Sequence, residues 1–190
     1  MVPVFVEKCV QFIEKYGISN EGLYRVPANA KERECVIRKF DQDNTFEFNP
    51  TEVSVSTITG CLTWFFSDKN LPDPLISYHI HDELEEALNM PDASLMLCSV
   101  RGVIRKLPYP NYATLKVLCT HLRNVSNNES ENKMSSENLA ICWWPTLFRP
   151  EVDVSLTSGA VPGLTKICFR DVLLACINQC PFIFYGQQEV

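Results

Sequence analysis

PVFVEKCVQFIEKYG, residues 3 to 17, places Phe5, Cys9, Phe12, Ile13 and Tyr16 on one stripe when the backbone turns every 3.6 residues. Alternation at a period of two, the mark of a half-buried strand, is absent from it. Pro3 suits a first helical turn because it has no amide hydrogen to lose there, and Gly17 suits the end. The segment therefore reads as a helix with one face committed to a core, and the same rule organises the rest of the chain.

A second helix is predicted over Lys31 to Phe40, burying Cys35, Val36 and Phe40, with the polar Asp41 to Thr51 as loop. Ser54 to Ser67 reads as a third, with Ile58, Leu62, Phe65 and Phe66 inward. It is ended by Leu71-Pro72-Asp73-Pro74-Leu75, whose two prolines forbid continuation. Helices over Asp82 to Leu88, Asp92 to Leu107 and Asn111 to Val125 each begin on an Asx cap, with Pro108 and Pro110 separating the last two. Asn124 to Ser136 reads as a polar, mobile loop. Ser135 then caps an apolar helix over Glu137 to Leu147, which Pro145 should kink or stop, and Lys166 to Gln179 closes the chain before Pro181. No run of β-branched residues flanks a hairpin turn, and no repeat recurs. The expected fold is all-α: one helical bundle of about eight or nine helices in a single domain over residues 1 to 190.

A chain of 190 residues with 46% hydrophobic content is long enough to bury a sizeable core, roughly 70% of its unfolded surface. With 17 basic against 23 acidic residues the net charge is −6, and no stretch concentrates Lys and Arg, which argues against nucleic acid as a partner. Apolar runs such as Leu139 to Trp144 are far too short to span a membrane, and the start, Met1 to Glu7, lacks a basic segment and a cleavage site. A cytoplasmic monomer is expected. The nine cysteines are scattered and never form a C-x-x-C pair, so they read as reduced core thiols.

Enzyme chemistry finds little support. His79, His81 and Asp82 lack third and fourth ligands at metal-site spacing and read as surface residues. His121 has no nucleophile that the sequence places beside it. No phosphate-cradling glycine loop occurs. Trp143 and Trp144 are adjacent on a helix, so one belongs to the core and the other is free for an interface. Arg25 differs in kind. In EGLYRVPA, residues 21 to 28, Gly22 frees the backbone while Leu23, Tyr24 and Val26 can anchor the loop. The guanidinium is then either paired with Glu21 or Glu34, or held out on a stiff base for a partner.

Three blocks carry a resemblance. EGLYRVPA resembles the arginine-finger loop of the Rho GTPase-activating proteins (RhoGAP domains). NLPDPLISY, residues 70 to 78, resembles their Leu-Pro turn after a helix, and NKMSSENLAICWWPTLFRP, residues 132 to 150, resembles their C-terminal helix. Order and spacing also fit, from about Val4 to Tyr185. FDQD, WPTLFRP and QCPFIFYG look most like the large Rho GAPs that carry a GTPase domain of their own upstream.

The resemblance implies an all-helical domain that docks on a GTP-bound Rho-family small GTPase and inserts Arg25 beside the nucleotide. It also implies partner-facing roles for Asn132, Asn138 and the position of Thr63. No cofactor of its own is implied, since GTP and Mg belong to the partner, and the domain would be an activator rather than an enzyme by itself. Thr63 stands where many members have a lysine, and Ser67 where many have an arginine. Asp68-Lys69-Asn70 contains two extra residues. A binding-only module for the same GTPases is therefore the alternative.

Overall fold

The computed structural model describes residues 1–150 and 163–186, with side chains in the second stretch from Phe169 onward. The expected single domain over 1–190 and the Cys168 thiol extend beyond these residues. Within them lie nine α-helices and no strand: α1 (Val4–Tyr16), α2 (Ala30–Gln42), α3 (Val55–Phe65), α4 (His81–Leu88), α5 (Ala93–Ile104), α6 (Tyr109–Ser126), α7 (Glu129–Asn132), α8 (Ser136–Phe148) and α9 (Gly163–Asn178). A 3-10 turn, Tyr78–Ile80, leads into α4, and a π-helical turn, Pro181–Tyr185, follows α9. The all-α bundle expected from apolar spacing is what forms.

In the first half the caps and most of the expected core form, but of the α2 positions expected inward only Val36 is buried, and Cys35, Phe40 and, on α3, Phe65 are half-buried. Phe5, Cys9, Phe12 and Ile13 are buried, so α1 packs its stripe against α3 and α6, while Tyr16 at the stripe's end is exposed. Asn29, Ser54, Asp92 and Ser135 cap α2, α3, α5 and α8, each accepting from amides of the first turn. Ile58 and Leu62 on α3 and Phe66 at its C-cap are fully buried, each contributing roughly 1.5 to 3 kcal/mol by burial.

Four expectations need correction. α4 opens out of the 3-10 turn rather than on an Asx cap, and its first residue, His81, is buried: Nε2 lies 2.9 Å from the Ile76 carbonyl and the ring packs between Phe148 and Phe169. α6 begins at Tyr109, with Pro110 inside the first turn, where its missing amide costs nothing; Asn111 instead donates to the Leu75 carbonyl at 2.9 Å. Pro145 does not end α8, which runs three residues further, because a proline near a C-terminus removes only one late hydrogen bond. The expected mobile loop at 124–136 is mostly helical, α6 reaching Ser126 and α7 forming one turn that buries Asn132 completely.

Of the cysteines, Cys9, Cys61, Cys119, Cys176 and Cys180 are buried and Cys98 is exposed. Burial pushes the Cys9 and Cys119 thiols up and that of Cys61 to about 12, so these groups pack as neutral apolar side chains. Among the described residues, no helix is long and apolar enough to cross a membrane.

Candidate functional site

Arg25 sits in the loop between α1 and α2, exposed, and its side chain makes no hydrogen bond or ion pair among the described residues. Neither Glu21 nor Glu34 holds it. Its guanidinium passes over Gly22: a Cβ added there would lie 3.7 Å from an Nη atom and 3.8 Å from Nε. It also lies beside α8, where its charge partly offsets the upward push that burial gives the Cys142 thiol.

The backbone beneath Arg25 is held in place from three directions. Gly22 and Tyr24 both adopt left-handed conformations, φ 73° and 67°. For Tyr24 that costs about 1 to 2 kcal/mol and needs an outside constraint. The amides of Arg25 and Val26 both donate to the Gly22 carbonyl, at 2.9 and 3.0 Å, closing a tight turn. The Gly22 amide donates to the Asn132 carbonyl at 2.8 Å, tying the loop to α7.

The third constraint is a buried polar relay. The Tyr24 hydroxyl lies 2.5 Å from His121 Nε2, His121 Nδ1 lies 2.9 Å from Glu14 Oε1, and Asn124 donates to the same oxygen at 3.0 Å. The His121 hydrogen bond, assisted by Asn124, holds the Glu14 carboxyl below the usual range against the opposing effect of burial, so Glu14 is an acceptor at neutral pH. Nδ1 must then donate to it. Burial pushes the Tyr24 hydroxyl well up, so it stays protonated and pairs with Nε2 as a neutral hydroxyl. Every member is satisfied, and the Tyr24 ring stands edge-on to Trp143 at 5.0 Å. Tyr24→Phe leaves His121 Nε2 buried without a partner. We expect a loss of about 1 to 2 kcal/mol in chemical denaturation.

The other sequence-derived positions divide. Asn138 is exposed on α8, one turn before Cys142, with its amide capped by Ser135 Oγ at 3.2 Å. It shares the exposed stripe with Ile141, which is 52% exposed, and so lies on the side of the bundle that carries Arg25. Thr63 is half-buried and lines an open cleft of about 400 Å³ between the Arg25 loop and α3, together with Val26, Arg33, Trp64, Ser67 and Lys69. Its hydroxyl donates to the Thr59 carbonyl at 2.9 Å and reaches no further. Gly60 lets the loop and α3 come this close, since a Cβ there would meet Ala28 Cβ at 2.2 Å.

Asn132 is a correction. Expected to face a partner, it is fully buried: Nδ2 donates to the Ile18 and Val125 carbonyls at 2.9 and 2.8 Å, and Oδ1 accepts from the Met134 amide at 2.9 Å. It frames the loop from behind and touches no surface. Arg149, not singled out in the sequence, performs a similar service at the Leu-Pro turn, donating to the carbonyls of Phe66, Leu71 and Asp73 at 2.8 to 3.0 Å. The only sequence signal for it was an arginine placed between the end of a helix and a proline, where carbonyls lack donors. For the Tyr24, His121 and Glu14 relay there was no local signal, because its members lie 97 and 107 positions apart.

Comparison with known proteins bears on this arrangement. The RhoGAP domain family matches residues 3–152. The chain is 38% identical over 187 residues to Rho GTPase-activating protein 35 of Rattus norvegicus, covering 98% of this chain and 12% of that protein. It is 36% identical over 199 residues to Rho GTPase-activating protein 190 of Drosophila melanogaster, again 98% and 12%. The chain thus spans about an eighth of the length of these relatives. Among solved structures, the BH domain from Graf, the GTPase regulator associated with focal adhesion kinase, superposes with a TM-score of 0.84 at 25% identity, covering 97% of this chain and 95% of that one. Human Rho GTPase activating protein 15 superposes with a TM-score of 0.83 at 28% identity, covering 96% and 84%.

Proposed function

Because the chain belongs to the RhoGAP domain family, we propose that it binds a Rho-family small GTPase in the GTP-bound state and accelerates hydrolysis by inserting Arg25 beside the nucleotide. The observation that carries this reading is an exposed, unpaired guanidinium on a loop that three sets of buried contacts hold in an otherwise unfavourable conformation. Phosphoryl transfer to water asks for positioning and charge neutralisation, and a pre-formed arginine supplies both without reorganising during the reaction. The nucleotide, its Mg and the attacking water belong to the partner. The chain contributes a charge and the surface that delivers it, and is not an enzyme by itself.

That surface runs from Val26, 51% exposed, past Arg25 to Asn138 and Ile141 on α8. Exposed apolar groups flanking a polar centre suit a partner that docks and excludes water. Asn138 is a binding residue in this scheme. Asn138→Ala is expected to raise the half-saturation concentration for the GTPase several-fold with little change in the plateau rate, because a rim contact is made equally before and during the reaction. Steady-state hydrolysis at varied domain concentration reads both quantities.

The proposal as a whole is tested by phosphate release from purified, GTP-loaded Rho and Rac. Added domain is expected to accelerate release by orders of magnitude over the GTPase alone. Binding to the GTP state without acceleration would replace activation with a binding-only role, and no binding would reject both.

A further inference from the structure

The cleft between the Arg25 loop and α3 carries more unmet donors than the finger itself explains. Arg33 projects from α2 into its lining. Among the described residues, the Arg33 side chain makes no hydrogen bond or ion pair, and its Nε is buried with no acceptor. Ser67 Oγ, in the same lining, is likewise buried without a partner. A buried donor left without an acceptor is costly, typically 1 to 3 kcal/mol for a neutral group and more for a charged one, so two of them around one open cleft mark a place where an acceptor is missing.

Charge points the same way. Lys69 stands exposed in the lining and Asp68 is the one acidic residue there, while Tyr24 and Val26, the neighbours of Arg25 in the loop, line the other side. The acids of α2 next to Arg33 do not serve it: Glu32 accepts from Thr57 Oγ1 at 2.8 Å, and Glu34 makes no ion pair with it. The chain carries a net charge of −6, yet this cleft is locally cationic. Thr63 does not supply the acceptor: its hydroxyl donates to its own helix, and neither Arg33 Nε nor Ser67 Oγ bonds to it.

We propose that Arg33 is a second partner-binding arginine, and that the cleft receives a carboxylate side chain from the surface of the docked GTPase. A planar guanidinium with free N–H groups matches a carboxylate in a two-bond geometry that an ammonium cannot reproduce. The occupant is a group fixed on the protein partner rather than a free anion, because the cleft opens beside Arg25, on the face where the partner is placed. Docking would thus complete the hydrogen bonding of Arg33 and seat the loop at the same time. The inference rests on the proposed function, and the experiments below separate the two.

Affinity is measured for Rho loaded with a non-hydrolysable GTP analogue, together with stimulated hydrolysis. Arg33→Ala is expected to weaken binding roughly tenfold and Arg33→Glu substantially more, with a shallower dependence of affinity on salt, while wild-type protein activates normally. Arg33→Lys should recover only part of the loss. A thermal melt of each variant excludes misfolding as the cause. Replacing the GTPase's surface Asp and Glu residues singly by Asn and Gln should reveal one whose effect on wild-type binding is roughly fivefold or more and vanishes against Arg33→Ala. Unchanged affinity and salt slope in folded Arg33→Ala, with active wild type, would overturn the inference and leave the proposed function standing. Inorganic phosphate that binds the free domain through Arg33 and leaves GTPase affinity unchanged when bound would assign the cleft to a free anion and overturn it too. Failure of wild type to activate would overturn the proposed function first.

Discussion

Arg25→Ala is expected to lower stimulated GTP hydrolysis by about 10³-fold, while affinity for the GTP-bound partner stays within about tenfold of wild type. The asymmetry follows from where the charge is needed. An exposed guanidinium gives up part of its hydration on docking and gains most only when negative charge spreads over the transferring and leaving oxygens. Arg25 forms no internal ion pair among the described residues, so its removal leaves no buried partner stranded, and the fold should be unaffected. Arg25→Lys should restore little of the rate, because a point ammonium cannot bridge two oxygens as a planar fork does. Phosphate-release kinetics at saturating domain concentration, with thermal melts as control, read both variants.

Asn132→Ala is expected to be the most damaging single change away from Arg25. It removes two donated and one accepted hydrogen bond around a fully buried side chain, leaving the Ile18 carbonyl and the Met134 amide without partners and the Val125 carbonyl with only its backbone donor from Asn128. A loss of about 3 kcal/mol follows. The same residue's carbonyl receives the Gly22 amide, so a loosened α7 also releases the loop that carries Arg25. Chemical denaturation measures the first effect. The second appears as a plateau rate that falls even at temperatures where the variant is folded. Asn132→Asp, which keeps the acceptor for Met134 but sets a buried carboxylate against the Ile18 and Val125 carbonyls, should be at least as damaging as Ala.

Both predictions rest on features that the sequence discloses unequally. The helices of the core are legible because apolar spacing is a local property: Ile58, Leu62 and Phe66 fall on one face whatever they meet, and Ser54 announces the start of α3 one residue ahead. Arg25 is legible as a candidate for a similar reason, since four uncharged neighbours around one arginine form a pattern within eight residues. What the sequence left open is the direction of that side chain, because Glu21 and Glu34 both stand near it along the chain. Geometry decided it.

Long-range polar chemistry was the part that could not be read. His81 looks like a surface histidine in a string of letters and His121 like one without a partner, yet one packs between Phe148 and Phe169 and the other links Tyr24 to Glu14. Asn132 belongs to a stretch so polar that a loop was the natural expectation. It is buried because one amide side chain can satisfy several backbone groups at once, which hydropathy alone does not reveal. The α7 turn then forms around it.

The loop conformation links these parts. Left-handed φ values at Gly22 and Tyr24 orient Arg25, and the contacts that enforce them come from α1, α6, α7 and α8. Four elements of the bundle therefore hold one five-residue turn, and the arginine is pre-organised by the fold rather than ordered by its partner.

The most direct test of that claim compares binding to the partner in two states: loaded with a non-hydrolysable GTP analogue, and loaded with GDP and aluminium fluoride, which mimics the phosphoryl group in transit. Wild-type domain should bind the second state far more tightly than the first, and Arg25→Ala should lose most of that difference while keeping its grip on the first. An Arg25→Ala variant that still distinguishes the two states as wild type does would contradict the account.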